Sequence, residues 1–189
     1  MTASEPGRFL GRIVAALDGA AVRHMLAGSF ASGIHGTPRS TQDLDIVIDP
    51  SFDSLARFLD GLAGNDVYFD ADVAREEFKR RGQFNVIDTS TFWKADLIMR
   101  KARPFSRSEL DRRVPVKVLG VDVFVATAED TVLAKLEWSK LGESERQLRD
   151  VSGILEVKGE SLDVRYVERW LDELAVRDLW ERVRGASFN

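Results

Sequence analysis

Residues 27–49, AGSFASGIHGTPRSTQDLDIVID, constrain this chain more than any other stretch. A Gly28-Ser29 turn is separated by thirteen residues from Asp43, which with Asp45 heads an apolar run that Pro50 closes. Side chains alternate faces along a strand, so both carboxylates project to one side while Leu44 points into a core. Like charges held that close repel. A hard divalent ion relieves the repulsion, because Mg²⁺ takes carboxylate oxygens together with water and phosphate oxygens. The stretch therefore demands a sheet with a helix entered through the Gly-Ser turn, and it points to phosphate chemistry on metal ions.

A length of 189 residues allows one domain with a real core, or a core domain with a small helical appendage. The absence of cysteine excludes disulfides, thiolate zinc sites and cysteine nucleophiles, and fits a cytoplasmic setting. With only His24 and His35 present, a histidine-rich metal site is also disfavoured. The N-terminal apolar run from Phe9 to Val22 is broken by Arg12 and Asp18, as in an amphipathic helix rather than a signal peptide. No run of about 18 apolar residues suits a membrane helix. The net charge of −4 argues against nonspecific coating of nucleic acid. Locally, however, Lys94 to Lys117 carries eight Lys or Arg against three Asp or Glu, and the chain from Leu119 onward carries ten against fifteen. A basic face of this kind suits a polyanion such as RNA, and a solvated charged helix and loop explains it equally well.

Hydrophobic spacing and turn residues predict helix over Phe9–Leu17, strand over Arg23–Ala27, and a helix starting with Ser29 near its N-cap and ending at Gly33 to Gly36. They predict strand over Leu44–Ile48, helix over Phe52–Leu62, strand over Val67–Phe69, helix over Val73–Arg81, and strands over Phe84–Ile87 and Ala95–Met99. A helix over Ser106–Arg112 then precedes a hairpin of Val114–Val118 and Val121–Val125 joined by Leu119 and Gly120. After Thr127 every segment reads as helix: Ala128–Leu141, Glu145–Val157 with Gly153 as a weak point, Val164–Leu174 and Arg177–Val183. The fold class expected is α/β (α+β), a mixed sheet flanked by helices, with a core at 1–126 and a C-terminal helical region at 127–189. Trp138, Trp170 and Trp180 suit either a core or an interface, with the core preferred.

Most candidate residues carry more than one reading. Gly28 lets backbone approach a phosphate, and Ser29 with the free N–H groups of the helix start can hold phosphate oxygens; alternatively Ser29 is a plain cap. Asp43 and Asp45 fit a metal pair better than a surface turn, since an apolar run follows directly. Asp96, in KADLIM, is an acid among apolar neighbours and must be paired, metal-linked or at an exposed edge. Lys135 lies among Val132, Leu133 and Leu136, where residues alone favour a snorkelling lysine. Asp150 orients Lys135 or a metal-bound water, or else pairs with Arg146 one turn away. Arg39 either clamps a phosphate or makes a loop salt bridge. His35 packs at a helix end, with no role assigned.

A strand, a Gly-Ser turn into a helix, an Asp-x-Asp strand and a later acidic strand resemble the nucleotidyltransferase superfamily with the DNA polymerase β-like fold. PRSTQDLDIVI, with Arg39, Ser40, Asp43 and Asp45, is similar to the matching segment of AbiEii-type nucleotidyltransferase toxins. AEDTVLAKLEW followed by ERQLRDVSGIL resembles that family's helical Lys and Arg-Asp elements, so the likeness runs from Gly28 to Leu155. It implies a nucleotidyltransferase-like mixed sheet, Mg²⁺ or Mn²⁺ on Asp43, Asp45 and Asp96, and a nucleotide held by Gly28, Ser29, Arg39 and Lys135. The catalytic set it implies is Asp43, Asp45, Asp96, Lys135 and Asp150, with Asp96 helping to activate the nucleophilic hydroxyl.

The activity so implied is transfer of a nucleoside monophosphate from an NTP to an acceptor hydroxyl, with the 3′ end of tRNA as acceptor and an antitoxin protein as partner. Nucleotidylylation of a protein hydroxyl is the rival within the same chemistry. A non-catalytic nucleotide-binding regulator is the rival outside it, and a metal-dependent nuclease is a third reading against which Gly28, Ser29 and Lys135 count.

Overall fold

The computed structural model describes residues 4–64, 66–142 and 144–187. These divide into two compact units, one formed by residues 1–26 and 41–125, the other by residues 27–40 and 126–189.

The first unit is built on a seven-stranded mixed sheet. Its strands are β1 (Arg23–Leu26), β2 (Asp43–Asp49), β3 (Val67–Tyr68), β4 (Gln83–Asp88), β5 (Lys94–Met99), β6 (Val114–Val118) and β7 (Val121–Val125), in the order β3-β4-β5-β2-β1-β7-β6. β2 runs parallel to β5 and antiparallel to β1, while β1 is parallel to β7. The parallel β2–β5 pair matters most, since its register sets Asp45 opposite Asp96 and Asp43 opposite Lys94. Leu44, Ile46 and Ile48 alternate inward and are essentially fully buried, as the period of two requires.

Helices α1 (Glu5–Gly19), α3 (Phe52–Leu62), α4 (Ala71–Arg80) and α5 (Pro104–Arg112) belong to the same unit. α1 begins earlier than its apolar spacing suggests, because Ser4 accepts from the Gly7 N–H and Pro6 sits in the first turn, where its missing N–H costs nothing. α3 has its expected bounds. Ser51 caps it in a reciprocal box with Ser54, and Leu55, Phe58, Leu59 and Leu62 form its buried stripe, packed against α1. The β6–β7 hairpin turns at Leu119 and Gly120 with φ of 51° and 85°, the mirror-type turn that suits a two-residue connection.

The second unit is helical: α2 (Gly28–His35), α6 (Ala128–Gly142), α7 (Glu145–Lys158), α8 (Val164–Trp170) and α9 (Arg177–Ser187). α6 packs against α2, α7, α8 and α9. Asp130 on α6 is fully buried yet satisfied, accepting from Tyr166 Oη and Thr127 Oγ1, each at 2.6 Å. α7 is continuous through Gly153. The glycine is needed because α7 backbone meets the end of α2: a Cβ on Gly36 would lie 2.7 Å from the Ile154 nitrogen, and one on Gly153 3.1 Å from Thr37 Oγ1. The core assignment of the tryptophans needs one correction. Trp180 is buried, whereas Trp138 is 49% exposed on the solvent side of α6. Among the described residues no helix is long and apolar enough to cross a membrane.

Candidate active site

The sheet carries the acids. Asp43, Asp45 and Asp96 share one face through the β2–β5 register, with Asp43 exposed, Asp45 half-buried and Asp96 buried. Two residues that sequence reasoning passed over complete the cluster. Lys94 Nζ lies 3.5 Å from Asp43 Oδ1 and 3.2 Å from Asp96 Oδ2, so an ammonium bridges the two strands. Asn85, opposite Asp96 on β4, donates Nδ2–H to Asp96 Oδ1 at 2.8 Å. Burial works against the charge of Lys94, but hydrogen bonding and attraction from Asp96, then from Asp43, outweigh it and raise its pKa. Lys94 is therefore an ammonium at neutral pH.

The donor chemistry suits a hard divalent ion. Three carboxylates oppose one ammonium, and that ammonium stands in for positive charge beside Asp43 and Asp96. Among the described residues no three acids or histidines converge tightly enough to cage an ion by themselves. The set fits a metal held by one or two carboxylates, with water and phosphate completing its shell, as is usual for Mg²⁺.

The second charged cluster belongs to the helical unit. Gly28 opens α2 with φ of +55°, a left-handed conformation that other residues adopt only at a cost. The capping position is Ala27, not Ser29, which sits inside the first turn. The Ser29 hydroxyl instead accepts a hydrogen bond from Arg39 Nη2. Lys135 does not snorkel. It is buried on α6, and its Nζ lies 2.6 Å from Asp150 Oδ2 on α7. Asp150 Oδ1 is also 3.5 Å from Arg39 Nε, and Oδ2 lies 3.5 Å from Ser32 Oγ, which donates to the Ser29 carbonyl at 3.1 Å. Asp150 thus links Lys135, Arg39 and the Ser29 turn, and Arg146 has no part in this arrangement. The sequence leaves the Lys135–Asp150 pairing as one open reading, whereas the approach of Arg39 and Ser32 to the same carboxylate has no local signal.

His35, at the end of α2, is buried, with Nε2 2.7 Å from the Ala126 carbonyl. Burial lowers its pKa, so it donates as a neutral imidazole and serves packing.

No protein-family model matches this chain, and no curated protein matches it in sequence. Solved structures match in shape. The structure of the antibiotic-resistance factor ANT(2″)-Ia in complex with adenylyl-2″-tobramycin is similar with a TM-score of 0.58 at 12% identity, over 90% of this chain and 97% of that one. An antigenic nucleotidyltransferase-like protein from Paracoccidioides brasiliensis gives 0.58 at 14% identity, over 96% and 94%. The lincosamide antibiotic adenylyltransferase LnuA, bound to lincomycin, gives 0.54 at 10% identity, over 83% and 99%. At such identities the likeness is one of architecture, and what it shows is that this chain has the nucleotidyltransferase-like fold.

Proposed function

We propose that the chain is a divalent-metal-dependent nucleotidyltransferase that moves a nucleoside monophosphate from an NTP to an acceptor hydroxyl and releases pyrophosphate. The fold alone would not carry this reading, since folds host many functions. The observation that carries it is the Asp45–Asp96 register with Asp43 one step away, an acid cluster that already draws a cation.

Asp43, Asp45 and Asp96 are the residues that would hold Mg²⁺ or Mn²⁺. A bound ion would lend Lewis acidity to the α-phosphate and stabilise the departing pyrophosphate. Asn85 fixes Asp96 Oδ1, and Oδ2, which the Lys94 ammonium contacts at 3.2 Å, is the atom that would receive the acceptor's proton once that ammonium has moved. The acceptor oxygen forms the new bond to the α-phosphorus as the bond to the β-phosphate bridge breaks. Arg39, Lys135 and the N–H groups of the first α2 turn are assigned to the triphosphate, and Gly28 leaves room for its approach. Asp150 positions Lys135 and Arg39.

Resemblance to AbiEii-type toxins extends this reading to the 3′ end of tRNA as acceptor and to an antitoxin partner. A small-molecule hydroxyl is the second reading, favoured by two neighbours of similar length solved with tobramycin and lincomycin groups. Incubation with Mg²⁺ and each α-labelled NTP tests the central claim, with tRNA, protein and small hydroxyl acceptors supplied in separate arms. Label transfer by the wild type and its loss by about 10³-fold or more in Asp45→Ala is expected, as in other sites where electrostatic stabilisation of the transition state is removed. Unchanged transfer in that folded variant would overturn the assignment.

A further inference from the structure

Lys94 is the one member of the acid cluster that the proposed reaction does not use. Its position is set by the backbone: in the parallel β2–β5 pair it is the register partner of Asp43, and it lies two residues before Asp96 on the same face of β5. Its Nζ touches one carboxylate from each strand, at 3.5 Å and 3.2 Å, while its side chain stays about one-third exposed. The ammonium therefore neutralises part of the cluster and keeps a path to solvent. A divalent ion seeking Asp43 or Asp96 meets oxygens already engaged by a positive charge at contact distance, and two cations cannot share those oxygens without strong repulsion.

We propose that Lys94 is a built-in competitor for the metal, an internal cation that holds Asp43 and Asp96 together in the metal-free protein and must swing away for a divalent ion to bind. This rests on the reading of the acids as metal ligands and adds a determinant of how tightly they bind. Two consequences follow from charge alone. Without metal, Lys94 relieves the mutual repulsion of the acids and supports the fold. With metal, it lowers the site's affinity, because its ion pairs must be broken and its charge moved.

The test is a titration of Mn²⁺ alone into the full chain, following free Mn²⁺ by its electron paramagnetic resonance signal, for the wild type, Lys94→Met and Lys94→Arg. Met removes the charge and keeps the length, whereas Arg keeps the charge. The expected result is a dissociation constant about tenfold lower in Lys94→Met, the order expected for removing a unit charge beside a partly exposed ion, with Lys94→Arg close to wild type. In thermal melts Lys94→Met should be the less stable protein without metal and should gain more on adding Mn²⁺. These melts also report whether each variant folds. Equal affinity in all three proteins overturns the role of Lys94 and leaves the metal reading standing. Weaker binding in Lys94→Met also overturns it, by making the lysine an aid to the acids' arrangement. No Mn²⁺ binding in any of the three overturns the metal reading and this inference together.

Discussion

On the sheet, Asp43, Asp45, Asp96 and Lys94 lie at the ends of β2 and β5, with carboxylates in excess and Asp43 open to solvent. In the helical unit, Arg39, Lys135 and Asp150 have cations in excess, and the Lys135–Asp150 pair is almost completely buried. The first cluster seeks positive charge and the second seeks negative charge, yet they differ more deeply in what holds them. A sheet register places the acids whatever their side chains do. The cationic cluster depends on the Asp150 carboxylate, because buried charge without a partner is costly.

The sharpest way to break this comparison is to remove one acid from each cluster. Asp150→Ala takes from a buried ammonium its closest counter-charge and from Arg39 its ion-pair partner. A loss of about 3 kcal/mol of stability is expected, the lower range for breaking a buried pair. Asp43→Asn removes an exposed member of a repulsive set and should change stability by less than about 1 kcal/mol. Urea denaturation of both variants measures the difference. Equal losses would mean that the acids, too, are structural.

Most of the architecture behind this contrast was legible. The period-two run of β2 placed both acids on one face, and the Ser51 cap with the α3 stripe fixed a helix to the residue. What stayed hidden depends on register and tertiary approach. Lys94 looks like part of a basic segment until β5 aligns with β2, and Asn85 is an unremarked polar residue until β4 sets it against Asp96. Lys135 reads as snorkelling on its apolar neighbours alone, and its pairing with Asp150 of the next helix is one of several readings until the 2.6 Å contact selects it. Gly153 read as a helix weakness because the close passage of residues 36 and 37 is not a local property.

That passage gives a second, smaller test. Gly36→Ala forces a Cβ to within 2.7 Å of the Ile154 nitrogen and 2.8 Å of the Gly153 carbonyl carbon, both rigid backbone. α7 must shift, at a cost of about 2 kcal/mol. Asp150 lies on the preceding turn of α7, so on the triphosphate role proposed for Lys135 and Arg39 NTP binding should weaken with it. Gly19→Ala, at the end of α1 where nothing lies within 4 Å of the added carbon, should be neutral or gain about 0.5 kcal/mol. If Gly36→Ala behaves like Gly19→Ala, the cationic cluster does not depend on this helix approach.

A last test concerns an acid held by hydrogen bonds within its own turn. Asp88, at the end of β4, is buried, and burial alone would raise its pKa. Hydrogen bonds from the Ser90 hydroxyl and from the Ser90 and Thr91 backbone N–H groups outweigh that and hold its carboxyl well below the usual carboxylate range. Arg12 adds an ion pair. A carboxylate with a lower pKa folded than unfolded stabilises the protein above its unfolded value, about 3.9, and loses that contribution as pH falls toward the folded value. Asp88→Asn should therefore be less stable than wild type at pH 7, and the gap should narrow from about pH 4 downward. Urea midpoints of the two proteins at pH 7, 5, 4 and 3 measure it. A gap independent of pH would mean that Asp88 contributes through shape rather than charge, and the contrast between an acid satisfied by hydrogen bonds and the acids gathered around Lys94 would lose its reference point.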